Sequence, residues 1–333
     1  MPVRSGPRLY GILVTYRRPE ALADHLGRLR TQTRSIDHLV VVDNDASSRR
    51  ADGGAVGAAI DRYRSGGRSA DHLRMPANLG PAGAIAVGME SVIELGIDDD
   101  WVVLLDDDDP PFDHDVLDCL WSVAIATPDA VAAVGVIGSP FDRRSAHLRR
   151  LSDEELDGHA AVGHALDGDP LDGIIDVDYL GGNQLPLYRL AAIRAVGVFE
   201  RDLFWGYDDL DFGLRLRRAG FRLVVSREVA RRARAHHGRL GLDVAAAAPS
   251  SVMRLATWRR YYTMRNLVHL LRKQGLDRVA IRRAVAAGIA KPMVNAPRRP
   301  VESMAQLSAG VRGALDGWFD RLGRRVTPSE KPA

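Results

Sequence analysis

An α/β fold with a mostly parallel sheet flanked by helices, followed by a helical C-terminal extension, is what this sequence predicts. Three observations carry the prediction. Short apolar runs (Leu9–Thr15, His38–Asp43 and Trp101–Leu105) alternate with segments of helical spacing through the first half. Two of the runs end in acids, at Asp43-Asn44-Asp45 and at Asp106-Asp107-Asp108-Asp109, which is where strands of a parallel sheet present ligand-binding groups. From Ser250 onward, apolar residues and arginines mix at helical spacing.

Leu9–Thr15 reads as a buried strand. Pro19–Arg30 reads as a helix with Leu22, Leu26 and Leu29 on one side, and His38–Asp43 as the second strand. Arg49–Arg74 is mixed, with a loop at Gly66-Gly67, and Leu73–Met75 is a brief third strand. Asn78-Leu79-Gly80-Pro81-Ala82-Gly83 opens the helix Ala84–Leu95. Trp101–Leu105 is the fourth strand, and Asp98-Asp99-Asp100 before it reads as a solvated loop. Asp115–Thr127 is a helix, Ala130–Ile137 a strand, and Asp142–Leu171 a polar loop or small excursion. Asp176–Leu180 leads into Gly181-Gly182-Asn183 and a further apolar stretch. Helices follow at Leu190–Val196 and at Asp208–Ala219, the latter stopped by Gly220, and Phe221–Ser226 is a strand. The C-terminal helices are expected to break at Pro292, Pro297 and Pro300 and to end in a disordered polar tail. The chain thus divides into 1–110, a ligand-binding half; 111–240, a second half of the same domain; and 241–333, a helical region.

With 333 residues, 46% of them hydrophobic, the chain can bury a sizeable core. The formal net charge is only +3, and no nucleic-acid-binding module is recognisable, so nucleic acid is excluded as a partner. Cys119 is the single cysteine, which rules out an internal disulfide and a thiolate zinc site and fits a reducing cytoplasm. The N-terminus lacks the apolar core of a signal peptide, and no apolar run reaches membrane-spanning length. Membrane contact, where it occurs, is expected to be peripheral, at the inner face of the plasma membrane. Oligomeric state cannot be read from the sequence.

Four acids after a hydrophobic strand are costly unless neutralised, and Mg2+ or Mn2+ is the natural partner for hard oxygen ligands. Asp106 and Asp108 are the pair to hold it. Asp107 joins Asp106 on the ligand side, where the metal would bridge the phosphates of a nucleotide. Standing alone, such a run would read as a solvated turn; the strand before it tips the reading. Phe204-Trp205-Gly206-Tyr207-Asp208-Asp209-Leu210-Asp211 opens a helix. One acid suffices as a cap, and three exceed that need. Asp209 is the candidate general base for a hydroxyl proton, Asp208 a partner for acceptor hydroxyls, and Asp211 a brace for the helix start. Trp205 and Tyr207 offer a stacking face for a sugar, with core packing the equal alternative. Asp43 can accept from a nucleobase imide N–H, with Asn44 beside it. Thr15, Arg17 and Arg18 follow the first strand, where an Arg can reach base or phosphate. The turn Asn78-Leu79-Gly80-Pro81-Ala82-Gly83 offers backbone N–H groups to an anion. Of His236 and His237, His236 is favoured to complete the metal shell. Gly182 and Asn183 are placed in the acceptor region.

These blocks, VTYRRPE (Val14–Glu20), VVVDNDAS (Val40–Ser47), NLGPAGA (Asn78–Ala84), WVVLLDDDD (Trp101–Asp109) and FWGYDDLDFGLRLRRAG (Phe204–Gly220), resemble in order and spacing the family 2 glycosyltransferases of GT-A fold. Within that family the resemblance is strongest to bacterial galactofuranosyltransferases and their rhamnosyltransferase relatives, and it covers Leu9 to His237. It implies that Asp106 and Asp108 bind metal and diphosphate, that Asp209 is the base, that Asp43 contacts the nucleobase, and that Asn78 and Gly80 belong to the donor loop. His236 would match the late metal-binding histidine. It further implies inversion at the anomeric carbon, Mg2+ or Mn2+, and a UDP- or dTDP-linked donor. The expected activity is transfer of a sugar, galactofuranose from UDP first and rhamnose from dTDP second, to a glycan or lipid-linked acceptor. A nucleotidyltransferase is a weaker alternative, because Thr15-Tyr16-Arg17-Arg18-Pro19 lacks the glycine-rich triphosphate loop such enzymes need. Asp109 with Pro110-Pro111, and Asn183-Gln184, depart from the family pattern. Relatives act on lipid-linked acceptors, so the arginines of Arg254–Arg325 suggest either a basic face for an anionic membrane or a solvated face on helices packed against the main domain.

Overall fold

A computed structural model describes residues 6–46, 54–142, 147–158, 173–182, 184–240, 256–290, 292–293, 297 and 299–328. The strands are β1 (Leu9–Thr15), β2 (His38–Asp43), β3 (Ala70–Arg74), β4 (Trp101–Asp106), β5 (Val131–Gly135), β6 (Gly138–Ser139), β7 (Phe141–Asp142), β8 (His147–Leu148), β9 (Ile174–Val177), β10 (Tyr179–Leu180), β11 (Leu187–Arg189) and β12 (Arg222–Ser226). The helices are α1 (Pro19–Arg30), α2 (Gly54–Arg64), α3 (Gly80–Leu95), α4 (Val116–Ala126), α5 (Asp153–Leu156), α6 (Leu190–Val196), α7 (Asp208–Arg218), α8 (Arg227–His236), α9 (Thr257–Lys273), α10 (Arg278–Ala290) and α11 (Pro300–Trp318).

Eight strands form one sheet in the order β3-β2-β1-β4-β11-β5-β12-β9. β11 runs antiparallel to β4 and β5, and β9 antiparallel to β12; the other neighbours are parallel. The sheet is therefore continuous across residues 1–110 and 111–240. Every residue of β1 and β5 is buried, as expected for strands covered by helices on both faces. Helix α3 lies close on this sheet because Gly88 has no side chain: a Cβ there would stand 2.4 Å from Ile12 Cγ2. Register decides what the strand ends bring together. Thr15 pairs with Asp43 across β1 and β2, and Val14 pairs with Asp106 across β1 and β4.

The structure corrects several sequence expectations. The mixed stretch before β3 contains helix α2, whose buried Ala59, Ile60 and Tyr63 were hidden among glycines and alanines. β3 begins at Ala70 and α3 already at Gly80. Asp100 is fully buried rather than solvated: its carboxylate accepts from the backbone N–H of Arg8 and of Ile97, each at 2.8 Å, tying the chain before β1 to the start of β4. Part of the 142–171 stretch is ordered, with β7 and β8 paired and α5 opened by a capping box between Ser152 and Glu155. The remainder of that stretch (143–146 and 159–171), the start of the C-terminal region (250–255) and the last five residues (329–333) lie outside the described residues. Pro300 starts a helix instead of ending one, since its ring fits the first helical position.

Candidate functional site

The site lies where β1, β2 and β4 end side by side. Asp43 and Asp106 are the last residues of β2 and β4, and further acids follow each. Within the triplet, Asp107 turns inward and is 3% exposed. It accepts from Thr15 Oγ1 at 2.7 Å, from the Tyr16 N–H at 3.3 Å and from Arg18 at 3.3 Å. Asp106 and Asp108 on either side remain open to the cleft, and one carboxylate oxygen from each of the three acids lies within 4.8 Å of the others. Arg18 also pairs with Asp108. Asp106 is pushed up to about 7, first by desolvation in the cleft wall, then by the negative charges of Asp108 and Asp107, with Arg18 opposing. Crowded carboxylates of this kind, two outward and one braced inward, suit a hard divalent cation. A second acidic group, Asp113-His114-Asp115, is different in kind: Arg232 bonds both Asp113 and Asp115, so its charge is already answered.

Asp43, at the end of β2, is 1% exposed, with His72 Nε2 at 3.5 Å and the Asp45 N–H donating to it at 3.2 Å. Arg17 leaves the acidic triplet for Asp45, at 3.2 Å, on a backbone with φ of +56°. Asn44 and Asn78 form a clamp. Asn44 Nδ2 donates to Asn78 Oδ1 and to the Gly80 carbonyl, at 3.3 and 3.2 Å, while its Oδ1 accepts from the Leu79 N–H at 2.9 Å. Asn78 Oδ1 accepts from the Gly80 N–H at 2.8 Å. The N–H groups of Leu79 and Gly80, two of those expected to meet an anion, are therefore satisfied within the protein. Gly80 itself has φ of +70°, and a Cβ on it would stand 2.0 Å from the Phe204 carbonyl oxygen. The turn entering α3 thus packs directly against the segment that leads to Asp209.

Asp208 and Asp209 open α7, preceded by Tyr207 in the left-handed region at φ of +64°. Asp208 is 9% exposed, and burial followed by the charge of Asp209 raises its pKa. Asp209 is raised too, chiefly by burial, although its Oδ1 accepts from the Leu210 N–H at 2.7 Å and its Oδ2 from the Gly182 N–H at 3.4 Å. Tyr207 is pushed up to about 12 by burial and by Asp209. Asp211 braces the helix: its two oxygens accept from Arg215 and Lys273 at 2.8 and 2.9 Å, joining α7 to α9.

One short segment connects the two acidic groups. Gly182 bonds Asp209, and two residues later Gln184 gives its backbone N–H and its Nε2 to the two oxygens of Asp109, each at 2.6 Å. Two residues of backbone span at most roughly 7 Å, so one short segment holds Asp109 and Asp209 near each other. Gln184 and Leu185 both sit at positive φ, +63° and +61°, an unusual pair for residues other than glycine. Asn183, between them and Gly182, lies outside the described residues. His236, the histidine favoured from sequence, ends helix α8 rather than a loop and turns its ring to Phe112, with centroids 5.6 Å apart. His237 is the one that faces this segment, its Nε2 3.4 Å from Gln184 Nε2. Behind it lies a cavity of about 370 Å³ whose wall includes Ser139, Arg150, Tyr179, Gln184, His237 and Arg239.

Trp205 is half-buried, edge-on to Trp258 with centroids 5.5 Å apart and Arg259 over its ring. Sequence reasoning missed what holds this loop. Asn266 Nδ2 donates to the carbonyls of Leu203, Trp205 and Gly206 at 2.8–2.9 Å. Arg265, fully buried, donates to those of Asp202 and Leu203 at 3.0 and 2.7 Å. Arg265 falls within the Arg254–Arg325 stretch expected to present its arginines on a face; the contacts of both residues span some sixty positions of sequence and leave no local signal.

No protein-family model matches this chain. In sequence it is similar to the galactofuranosyltransferase GlfT1 of Mycolicibacterium smegmatis, 33% identical over 218 residues that cover 63% of this chain. The match takes in 65% of that relative's own length. In structure it is similar to the mannosyltransferase PcManGT from Pyrobaculum calidifontis, solved with GDP-Man and Mn2+, at a TM-score of 0.51 and 16% identity, covering 95% of this chain and 88% of that one. It is also similar to GalNAc-T7, solved with UDP, GalNAc and Mn2+, at a TM-score of 0.51 and 12% identity, covering 68% of this chain and 43% of that one. The α/β fold expected from the sequence is the fold of these glycosyltransferases.

Proposed function

We propose that this chain, which has the fold of glycosyltransferases, transfers a sugar from a nucleotide diphosphate donor to a hydroxyl of a glycan or lipid-linked acceptor, with inversion. The observation that carries the reading is the grouping of the acids: Thr15, Asp43 and Asp106 end adjacent parallel strands, and the 182–184 segment ties Asp109, in the same acidic run as Asp106, to Asp209. The sequence similarity to GlfT1 favours galactofuranose as the sugar and, with the family resemblance, UDP as its carrier. The Mn2+ in both solved neighbours favours a divalent cofactor, Mg2+ or Mn2+.

Asp106 and Asp108 would hold the metal, with Asp107 braced behind them by Thr15 and Arg18. When bound, a divalent ion neutralises charge on the departing diphosphate. Asp43 receives the nucleobase edge. The acceptor hydroxyl oxygen bonds to the anomeric carbon as the bond from that carbon to the phosphate oxygen breaks, and the hydroxyl proton passes to Asp209. Its raised pKa suits a proton acceptor at neutral pH. Asp208 orients the acceptor, and Trp205 and Tyr207 give it a stacking face beside Gly182. The geometry favours His237 over His236 as the histidine of the cleft.

The test is turnover of UDP-galactofuranose with Mn2+ and a glycan acceptor. Asp209→Asn should lower kcat by roughly 10²–10⁴-fold while leaving donor binding nearly intact. Asp106→Ala should abolish the metal dependence of donor binding, read as a Mn2+-dependent thermal shift with UDP. Full activity in Asp209→Asn would remove it as the base, and absence of any nucleotide-dependent shift would sink the transferase reading.

A further inference from the structure

Helix α11 is built inside out. The side turned to the protein carries Ser303, Gln306, Gly310, Gly313 and Gly317, all buried. Small residues there let helix backbones meet: a Cβ at Gly313 would stand 2.2 Å from the Tyr261 carbonyl oxygen, and one at Gly317 2.2 Å from that of Arg265. The opposite side carries Val301 at 83% exposed, Met304 at 56%, Val311 at 40% and Leu315 at 54%, with Phe319 at 62% just beyond the end. At 3.6 residues per turn these five positions fall within roughly 80° of arc. They are five of the twelve large hydrophobic residues exposed among the described residues, gathered on one helix, and a stripe of that kind marks a surface meant to be covered.

The charges around the stripe say what covers it. Arg312, Arg321 and Arg325 line the same shallow hollow as Met304, Val311 and Leu315. The carboxylate in that hollow, Asp316, is 6% exposed; it accepts from Tyr261 Oη at 2.6 Å and lies 3.6 Å from Arg321 and 3.8 Å from Arg325, so a single acid answers part of the charge of three arginines. The face is therefore apolar along its centre and cationic at its margin. A second copy's stripe would match the apolar centre but would bring the same cationic excess to the margin. A sheet of anionic headgroups over acyl chains answers both features at once. Among the described residues no helix is long and apolar enough to cross a membrane, so the contact would lie in the plane of the surface.

We propose that α11 docks on an anionic lipid surface, with Val301, Met304, Leu315 and Phe319 entering the acyl boundary and Arg312, Arg321 and Arg325 meeting headgroup phosphates. The inference stands apart from the transfer reading, since none of these residues borders the acidic cleft.

The experiment is co-sedimentation of the full chain with vesicles of phosphatidylglycerol and phosphatidylcholine, against phosphatidylcholine alone, with sedimentation velocity in the absence of lipid. Binding to the anionic vesicles, falling with added salt, is the expected result. Met304→Ser/Leu315→Ser should weaken it by roughly tenfold or more, and Arg312→Gln and Arg325→Gln by about fivefold each. All four positions are exposed, and unchanged far-UV circular dichroism and thermal midpoint confirm that the variants fold. Absence of binding to anionic vesicles at low salt overturns the proposal, as does equal binding by the Met304/Leu315 variant. A lipid-free dimer that the same variant dissolves would assign the stripe to a second copy instead and would equally overturn it.

Discussion

Replacing Gln184 tests how the cleft is held together. Gln184→Ala removes one of the two donors to Asp109 but keeps the backbone at φ of +63°. A hydrogen bond to an ionised acceptor contributes about 1.5–3 kcal/mol. Gln184 is 9% exposed, so solvent can replace little of it, and a loss of about 2 kcal/mol follows. Gln184→Gly loses the same bond yet relieves about 1–2 kcal/mol of left-handed strain. The greater freedom of glycine in the unfolded chain takes back about 0.5–1 kcal/mol of that gain. The glycine variant should therefore be at least as stable as the alanine one, by about 0–1.5 kcal/mol. A double-mutant cycle with Asp109→Ala should show a coupling of about 1–2 kcal/mol, within the range for directly bonded residues. Urea unfolding of each corner gives the stabilities, and steady-state kinetics give the consequence. Because Gly182 bonds Asp209, slackening this segment should lower kcat more than it raises the donor KM. An alanine variant clearly more stable than the glycine one would refute the strain argument, and a coupling below about 0.5 kcal/mol the anchoring argument.

Three further outcomes follow from the same geometry. Gly80→Ala should destabilise the fold by more than about 2 kcal/mol in thermal or urea unfolding, because its new Cβ would meet the Phe204 carbonyl and its φ is left-handed. Asn266→Ala removes a donor from the Trp205 and Gly206 carbonyls and leaves that of Leu203 to Arg265; a loss of about 2–3 kcal/mol of stability, with a lower kcat at unchanged donor KM, is expected, and full kcat would show that the 203–206 loop does not position α7. Asp209→Asn should raise the thermal midpoint at pH 7, because it removes a carboxylate whose pKa burial has raised. The sign is fixed by linkage. The raised folded pKa means the protonated acid favours the fold, so the native residue's contribution is retained below the unfolded value of about 4 and is lost as pH rises through the folded one. The variant's advantage should accordingly vanish below about pH 4, and an advantage equal at pH 3 and pH 7 would show that charge is not its cause.

What the sequence revealed and what it hid divide along a physical line. Leu9–Thr15, His38–Asp43 and Trp101–Leu105 were legible because a short apolar run is a local pattern; the latter two run into acids, and a parallel sheet gives such ends a common side. α2 was not, because alanine and glycine carry little periodic signal. Asp100 was misread for a related reason: three adjacent acids look solvated, and nothing local announces that two backbone N–H groups, one of them more than ninety residues away, will bury the third. The same limit applies to Arg265 and Asn266, whose composition reads as basic surface while their partners are carbonyls of a distant loop.

The most instructive case is the pair of departures from the family pattern. Asp109 and Gln184 were noted separately as features that do not fit, seventy-five positions apart, and the structure shows them bonded to each other. Neither makes sense alone. An extra acid beside three others worsens the crowding around Asp106, and a glutamine at positive φ is strained. Together each offsets the other's defect: the carboxylate gains two donors, and the strained segment gains an anchor that sets Gly182 against Asp209. Two anomalies in one sequence that answer each other's chemistry are therefore better read as a contact than as two exceptions, and here that contact lies between the predicted metal-binding acids and the predicted base.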